Sequence, residues 1–235
     1  MTKSRKRGAG IYQGMRKLAF CLTVFAAALA AQTAETAYFR GVMLPTNEVP
    51  AVPFNATGTA TLIAHVVRDA TGQIVSGSVD FQVKASLPSA ITATGLHIHN
   101  GPAGQNAGVV INTGLGAGAN SLSLASGAQY VVRQANVLAT DTNGVAALRG
   151  MFQDPSQYYV NMHSTDFGGG FMRGQLQRAQ VRVFMGFMSP ANEVPSPAVN
   201  GSGVAQAVAI ATRDSAGKLT SGEVYLGMTY SFSQQ

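Results

Sequence analysis

The sequence predicts an all-β protein, a sandwich or barrel of about seven to nine strands with a single short helix. Three observations support this prediction. The 235 residues are 46% hydrophobic but only 11% charged, with 27 glycines and no tryptophan, a composition typical of turn-rich β proteins. Short alternating or β-branched runs recur between clusters of glycine, proline and asparagine. One stretch alone has apolar residues at helical spacing.

The first strands follow from alternation and turn chemistry. A β-prone run over Tyr38 to Leu44 ends at the prolines of residues 45–50, because proline removes a hydrogen-bond donor from the sheet. Residues 57–68 and 73–84 are alternating or β-branched runs. They are joined by Asp69-Ala70-Thr71-Gly72, where glycine permits a positive φ, so the pair predicts a β-hairpin.

The remaining elements complete an immunoglobulin-like sandwich or barrel. Val145, Leu148, Met151 and Phe152 recur at helical spacing, and the pattern predicts a helix over residues 142–153. Further strands are predicted over residues 91–100, 108–112, 121–124, 130–133, 158–163 and 171–183. A domain of about 145 residues buries roughly two-thirds of its chain surface, so no disulfide is needed for folding.

The N-terminus has the features of a signal peptide over residues 1–31. Basic residues end at Lys17, and an apolar run over Leu18 to Ala31 follows, with small residues near its end. This run is too short to cross a hydrocarbon core of about 30 Å as a stable helix; a retained anchor helix is the alternative. Cys21 follows Phe20 rather than a small residue, which argues against lipid attachment there.

Removal of this leader has two consequences. The mature chain would contain no cysteine and no membrane span, so we expect a secreted or periplasmic protein, with a bacterial origin favoured. The leader also holds six of the sixteen basic residues, and the other ten equal the ten acidic residues in number. A net charge near zero leaves no basic surface for a nucleic-acid partner.

The chain contains an internal repeat. Residues 186–195 repeat residues 41–50 at a constant offset of 145, and the match continues without gaps to Ser221-Gly222. A gapless match of this length indicates duplication. The sequence therefore predicts one complete domain over residues 37–183 and a partial second repeat over residues 186–235.

Three motifs lie within the complete domain. They are Leu96-His97-Ile98-His99-Asn100-Gly101-Pro102, Tyr159-Val160-Asn161-Met162-His163-Ser164-Thr165 and Gly169-Gly170-Phe171-Met172-Arg173-Gly174-Gln175-Leu176. In order and spacing they resemble the H-I-H-x-G-P, Y-V-N-x-H-(S/T) and G-G-x-x-R-G-Q-L motifs of the CHRD (chordin) domain family. The resemblance implies an exported, non-catalytic binding or scaffold module with an extracellular or periplasmic ligand. It marks Asn161, Thr165, Arg173 and Gly174 as motif residues.

Alternation along the motif strands places three histidines on polar faces. Leu96 and Ile98 take the apolar parity of one strand, so His97 and His99 point the other way. The same argument puts His163 on the polar face of the second strand. If the strands are adjacent, three imidazoles converge, which is a usable set of ligands for copper or zinc. In the alternative, the side chains of His97, His99, Asn161 and Thr165 bond to one another and to loop backbone.

A second resemblance concerns the metal alone. Gly95-Leu96-His97-Ile98-His99 is similar to the G-x-H-V-H segment of copper–zinc superoxide dismutases, which implies copper at His97 and His99, with His163 as a third ligand. The chain lacks that family's disulfide and its zinc-binding loop, so dismutase activity is not implied. His65 corresponds to Ile210 in the repeat, which favours a structural role for it.

Other chemical signals in the sequence are weak. Gly168-Gly169-Gly170 precedes no predicted helix, so a β-turn is expected there rather than a phosphate site. Arg173 is expected to pack near the histidine motif, because Gly174 lets another strand approach closely. No nucleophile–base–acid triad and no paired carboxylates are recognisable, which favours a non-catalytic role.

Overall fold

The structure is a computed structural model that describes residues 32–233. The predicted leader, residues 1–31, lies outside these residues. The strands are β1 (Thr33–Met43), β2 (Thr57–Arg68), β3 (Ile74–Leu87), β4 (Ile91–Asn100), β5 (Val109–Asn112), β6 (Leu122–Leu124), β7 (Gly127–Val137), β8 (Tyr158–Ser164), β9 (Met172–Gln175), β10 (Gln177–Met188), β11 (Gly201–Arg213) and β12 (Leu219–Phe232). The α-helix, α1, spans Thr142–Gln153.

Two antiparallel sheets form a sandwich, which confirms the predicted fold class. The larger sheet has the order β12-β11-β10-β1-β2-β3-β7, and the smaller has the order β5-β4-β8-β9, with β6 paired to β4. Strands β1 to β10 are ten in number, more than the predicted seven to nine, because the single strand predicted over residues 171–183 is divided at Leu176 into β9 and β10.

The core lies between the two sheets. Phe39, Leu62 and Phe81 contribute fully buried side chains from β1, β2 and β3. Ile98 and Val160 face them from the smaller sheet and are equally buried. Each of these residues takes the apolar parity of its strand, which leaves the alternate residues of β4 and β8 on the far side of the smaller sheet.

The helix covers the sandwich at one end, over the residues that the apolar spacing predicts. The Asp141 carboxylate accepts a hydrogen bond from the Gly144 N–H at 2.9 Å and so caps the first turn. Leu148 and Met151 are buried in the core. The ring of Phe152 packs edge-on against Phe39, with 5.8 Å between ring centroids. No helix among residues 32–233 is both long enough and apolar enough to span a membrane.

The strands of the repeat copy the pairing of β1, β2 and β3 at the offset of 145. Val42 pairs with Thr59, and Phe187 pairs with Val204. The β2–β3 ladder is irregular after Val67, and the β11–β12 ladder is irregular after Thr212. The gap between the predicted domain and the predicted repeat, between residues 183 and 186, falls inside β10. This strand pairs with β1 near its start and with β11 along most of its length.

The β11–β12 hairpin folds over the outer face of the larger sheet. Glu223 of β12 accepts a hydrogen bond from Thr61 and forms ion pairs with Arg40 at 2.6 Å and Lys84 at 2.7 Å. The Tyr225 hydroxyl donates to the side chain of Gln82 at 2.8 Å. Because the hairpin covers them, the outward-facing Arg40 and Thr61 are only 2% exposed.

Candidate metal centre

The three motif histidines share the outer face of the smaller sheet. In the β4–β8 ladder, Gly95 pairs with His163, and His97 pairs with Asn161. The apolar residues between them point into the core, so these side chains point away from it. The loops after β4 and β8 then fold over this face, and His99 is buried while His97 and His163 are half-buried.

The structure brings the three imidazoles together. The ring centroids of His97 and His163 are 5.0 Å apart, those of His99 and His163 are 5.7 Å apart, and those of His97 and His99 are 5.9 Å apart. One ring nitrogen from each residue lies within 4.8 Å of the others. A small inward movement of the rings would reach the spacing required by metal–nitrogen bonds of about 2 Å.

Backbone carbonyls fix which nitrogen two of the rings present. His99 Nδ1 lies 2.9 Å from the Ala107 oxygen, and His163 Nδ1 lies 2.9 Å from the Gly168 oxygen. A carbonyl oxygen only accepts, so each Nδ1 carries the proton and each Nε2 keeps its lone pair. Nε2 of His99, Nε2 of His163 and Nδ1 of His97 are all buried without a hydrogen-bond partner. Buried polar atoms are normally satisfied, and these three nitrogens form one set of donors that a single ion could satisfy.

The electrostatics keep two of the rings in the form that binds metal. Burial, together with the charges of His163 and His99, lowers the pKa of His97 to about 4. Burial also lowers the pKa of His99, although the hydrogen bond to Ala107 opposes this effect. Both rings are therefore neutral at neutral pH. A metal can bind them without first displacing a proton.

Glycine at position 95 is required by the approach of two rings. A Cβ atom there would lie 2.6 Å from Cε1 of His97 and 3.1 Å from Cδ2 of His163. Any side chain would push these rings apart. The first residue of the Gly-Leu-His-Ile-His segment therefore has a steric role beside the histidines.

Aromatic and cationic side chains support the site from one side. The Tyr159 ring is parallel to that of His99, with centroids 4.7 Å apart, and the Arg173 guanidinium lies 4.4 Å from the Tyr159 centroid. Arg173 is buried and donates to the carbonyls of Asn47 at 2.6 Å and Gln105 at 3.1 Å. It thereby ties the loops before β2 and after β4 over the sheet.

Gly174 makes this packing possible. A Cβ atom at position 174 would lie 2.7 Å from the Val42 oxygen, so only glycine lets β9 lie this close to β1. The backbone atoms of Leu44 and Arg173 exchange hydrogen bonds at 3.1 and 3.4 Å at the same junction. The two sheets meet here, next to the candidate site.

Glu48 is a residue of the site that the sequence analysis did not identify. It is 5% exposed, and Asn161 lies beside it. Burial raises the pKa of Glu48 to about 7, although the charge of Arg173 and a hydrogen bond with Asn161 act in the opposite direction. Glu48 Oε1, Asn161 Oδ1 and Arg173 Nη2 have no hydrogen-bond partner. The Asn-Glu-Val-Pro segment, present in both copies of the repeat, is the signal in the sequence that marks Glu48.

The alternative to a metal site is that the motif side chains bond to one another and to loop backbone. The described residues contain the bonds to loop backbone but not the bonds between the side chains. Within residues 32–233, no hydrogen bond joins the side chains of His97, His99, Asn161 and Thr165 to one another. The Thr165 N–H donates to the Thr92 carbonyl at 3.0 Å instead. Bonds from His99 and His163 to loop carbonyls are present, and they leave the second nitrogen of each ring free.

Two other predicted features lie where expected. Gly168 to Gly170 form a turn, in which the Gly170 N–H donates to Phe167 at 3.0 Å. His65 lies outside the cluster, with its Nε2 at 3.1 Å from a carboxylate oxygen of Asp80.

The comparisons with known proteins place the chain in a family. No curated protein and no solved structure matches it. The family model for the CHRD domain matches residues 39–176, more than half of the chain. This range includes all three sequence motifs and every residue of the candidate metal centre. The chain belongs to the CHRD domain family.

Proposed function

We propose that this chain is an exported, non-catalytic binding module, and that its folded domain binds one copper or zinc ion at His97, His99 and His163. One observation carries the metal assignment: three buried ring nitrogens without partners face one another at the centre of the cluster. Membership in the CHRD domain family supports a non-catalytic domain in general terms.

The donor set suits both metals. Imidazole nitrogen is a good ligand for copper and for zinc, and three protein ligands are enough for a bound ion that completes its coordination with a further group. The carbonyls of Ala107 and Gly168 hold two rings in the required tautomer, which is the usual role of groups behind metal ligands. The chemistry of the residues present therefore fits the ion.

The metal assignment is tested by stoichiometry. Chelator-treated protein is incubated with equimolar Cu²⁺ or Zn²⁺, dialysed, and analysed by elemental mass spectrometry. We expect about one ion per unaltered chain and almost none in the double variant His97→Ala, His99→Ala, because a single imidazole cannot retain the ion. His65→Ala, which removes a histidine outside the cluster, is the matched control and should bind as the unaltered chain does.

A second variant separates loss of the metal ligands from loss of folding. His163→Gln removes the third ligand from a half-buried position, and circular dichroism should show an unchanged β spectrum. Metal uptake by this folded variant at the level of the unaltered chain would contradict the assignment. So would equal uptake by the double variant and the His65 control.

The export component rests on the predicted leader and has its own measurement. The intact mass of the protein recovered from outside the cytoplasm should correspond to a chain that begins near residue 31 or 32. A chain that starts at Met1 and sediments with membranes would contradict export. It would leave the metal assignment intact.

A further inference from the structure

The repeat presents an apolar face that nothing covers among residues 32–233. Phe184 of β10, Ala207 of β11 and Leu226 of β12 are in register and so lie on one side of the three strands. This side is opposite to the one that carries Glu223 and Tyr225, which packs on the first domain. Its large side chains are between 58% and 78% exposed; they are Phe184, Val224, Leu226, Met228, Tyr230 and Phe232.

The corresponding residues of the first domain are all buried. At the offset of 145, the six counterparts are Phe39, Val79, Phe81, Val83, Ala85 and Leu87, none of which is more than 7% exposed. The smaller sheet covers them. Within the part of the chain that the structure describes, the repeat therefore displays the core-facing side of a sandwich with no second sheet over it. We call this set of six residues, with the small residues of β11 between them, the open face.

The area of the open face is large for a monomer. Six side chains of roughly 150–200 Å² each, about two-thirds exposed, amount to roughly 700 Å² of apolar surface. Monomeric proteins seldom expose a contiguous apolar patch larger than about 300–600 Å². Two such faces packed together would bury roughly 1,400 Å² in total, which is within the range of stable protein–protein interfaces.

The shape and charge of the open face favour a second copy of the same surface. On β12 the side chains are large, whereas on β11 the same face carries only small residues: Gly203, Ala205, Ala207, Ala209 and Ala211. A twofold rotation would place the large side chains of β12 in one copy over the small residues of β11 in the other. A twofold interface requires such a self-complementary surface. From Gly203 to Ala211 on β11 and from Val224 to Phe232 on β12 this face carries no charge, and Arg182 of β10 lies beside it, in register with Ala209. The uncharged centre of the face suits an apolar partner.

We propose that the open face is the interface of a symmetric dimer of this chain, in which β12 of each copy packs on β11 of the other. The interface is independent of the three histidines, which lie on the outer face of the smaller sheet. In the dimer the two open faces would pack face to face, as the two sheets of the first domain do. Their side chains would interdigitate across a layer about 10 Å thick.

The oligomeric state of the chain in solution tests the proposal. Light scattering after size exclusion should give the mass of a dimer at tens of micromolar. The double variant Leu226→Glu, Met228→Glu should be monomeric, with at least a hundredfold weaker association, because two carboxylates in each copy would have to enter an apolar interface. The matched control is Val132→Glu, which places a carboxylate at another exposed apolar position, 50% exposed on β7, and should remain dimeric.

A cross-linking measurement tests the geometry without relying on the charged variants. In a Cys21→Ser background, chains with Ala207→Cys are mixed with chains with Leu226→Cys under mild oxidation. We expect disulfide-linked heterodimers to exceed either homodimer, because β12 of one copy faces β11 of the other.

Each contrary outcome overturns the proposal. A monomer at tens of micromolar means that the open face does not associate with itself. A dimer that survives the charged variants, or that Val132→Glu dissociates, places the interface elsewhere. Open-ended assemblies in place of a dimer indicate pairing along the free edge of β12.

Discussion

Two carbonyl oxygens determine which nitrogen His99 and His163 present to the centre of the histidine cluster. If the Ala107 and Gly168 oxygens were displaced, the His99 and His163 rings would be free to present either nitrogen. With both carbonyls in place, each ring presents its Nε2 toward the cluster, and neither ring would need to change tautomer to bind the proposed ion. The loops that carry these carbonyls are thus as much a part of the site as the histidines.

Glu48 gives the site a pH-dependent contribution to stability. Burial raises the pKa of this carboxyl from 4.5 to about 7, so the folded protein holds a proton that the unfolded chain releases. A raised pKa stabilises the folded state fully below the ordinary pKa, and this contribution is lost as pH rises through about 7. Between pH 5 and pH 8, we expect the free energy of unfolding to fall by about 1–3 kcal/mol relative to that of Glu48→Gln. Denaturant titrations of metal-free protein at several pH values measure this difference.

The repeat supplies the matched control for Glu48. Glu193 occupies the corresponding position and is exposed, so Glu193→Gln should leave the pH dependence of the unaltered chain unchanged. If the curves of Glu48→Gln and the unaltered chain are parallel across this range, Glu48 does not carry a raised pKa.

Strands β4 and β8 show which features of the site can be predicted from the sequence. The two-residue period predicts that His97, His99 and His163 leave the core, and the ladder between the strands brings them together. The period cannot predict that the loops around residues 101–107 and 165–170 close over this face, because loop paths depend on contacts between distant segments. The burial of Glu48 beside Asn161 depends on the same tertiary approach. Strand parity therefore predicts which histidines share this face, whereas the groups that orient and enclose them are visible only in the folded chain.

The β11–β12 hairpin is attached to the first domain by a charged contact that acid should weaken. Burial acts to raise the pKa of Glu223, but hydrogen bonds from Lys84 and Thr61 and the charge of Arg40 outweigh it and hold the pKa below its ordinary value. A lowered pKa stabilises the folded arrangement above the ordinary pKa, and this contribution is lost as pH falls through the folded value. We expect amide exchange in β11 and β12 to accelerate roughly tenfold in Glu223→Gln at pH 7.

Acidification should reproduce the effect of that substitution. As pH falls through the lowered pKa of Glu223, exchange in β11 and β12 of the unaltered chain should approach that of Glu223→Gln, because the carboxylate becomes protonated. Glu35→Gln, which removes a partly exposed partner of Arg68, is the control and should not accelerate exchange in the hairpin. Equal protection in all three proteins at pH 7 would show that Glu223 does not hold the hairpin.

On the scale of the whole molecule, the sequence predicts a repeat but not its arrangement. The constant offset of 145 predicts the register of β10, β11 and β12, since their pairing repeats that of β1, β2 and β3. Arg40 shows what the sequence leaves undetermined. An arginine at an outward-facing position of a strand is expected to meet solvent, yet it is only 2% exposed because the hairpin folds over it. The hairpin covers this surface because Glu223 contacts Arg40, Thr61 and Lys84 there. These contacts join distant parts of the chain and are visible only in the folded structure.

The continuity of β10 has a mechanical consequence. Because β10 joins the repeat to the first domain without an intervening linker, tension on β12 is carried to the rest of the sheet by the hydrogen bonds that connect β12, β11, β10 and β1. The β10–β11 ladder spreads that load over nine register pairs, whereas the ladder between β10 and β1 has three. Under tension the short ladder is the weakest backbone junction, with the ion pairs of Glu223 in parallel with it. Rupture there would release the hairpin from β1 but leave β10 joined through Leu176 to β9, which pairs with the histidine-bearing β8. Force on the C-terminal strands would then reach the smaller sheet through the backbone at residue 176.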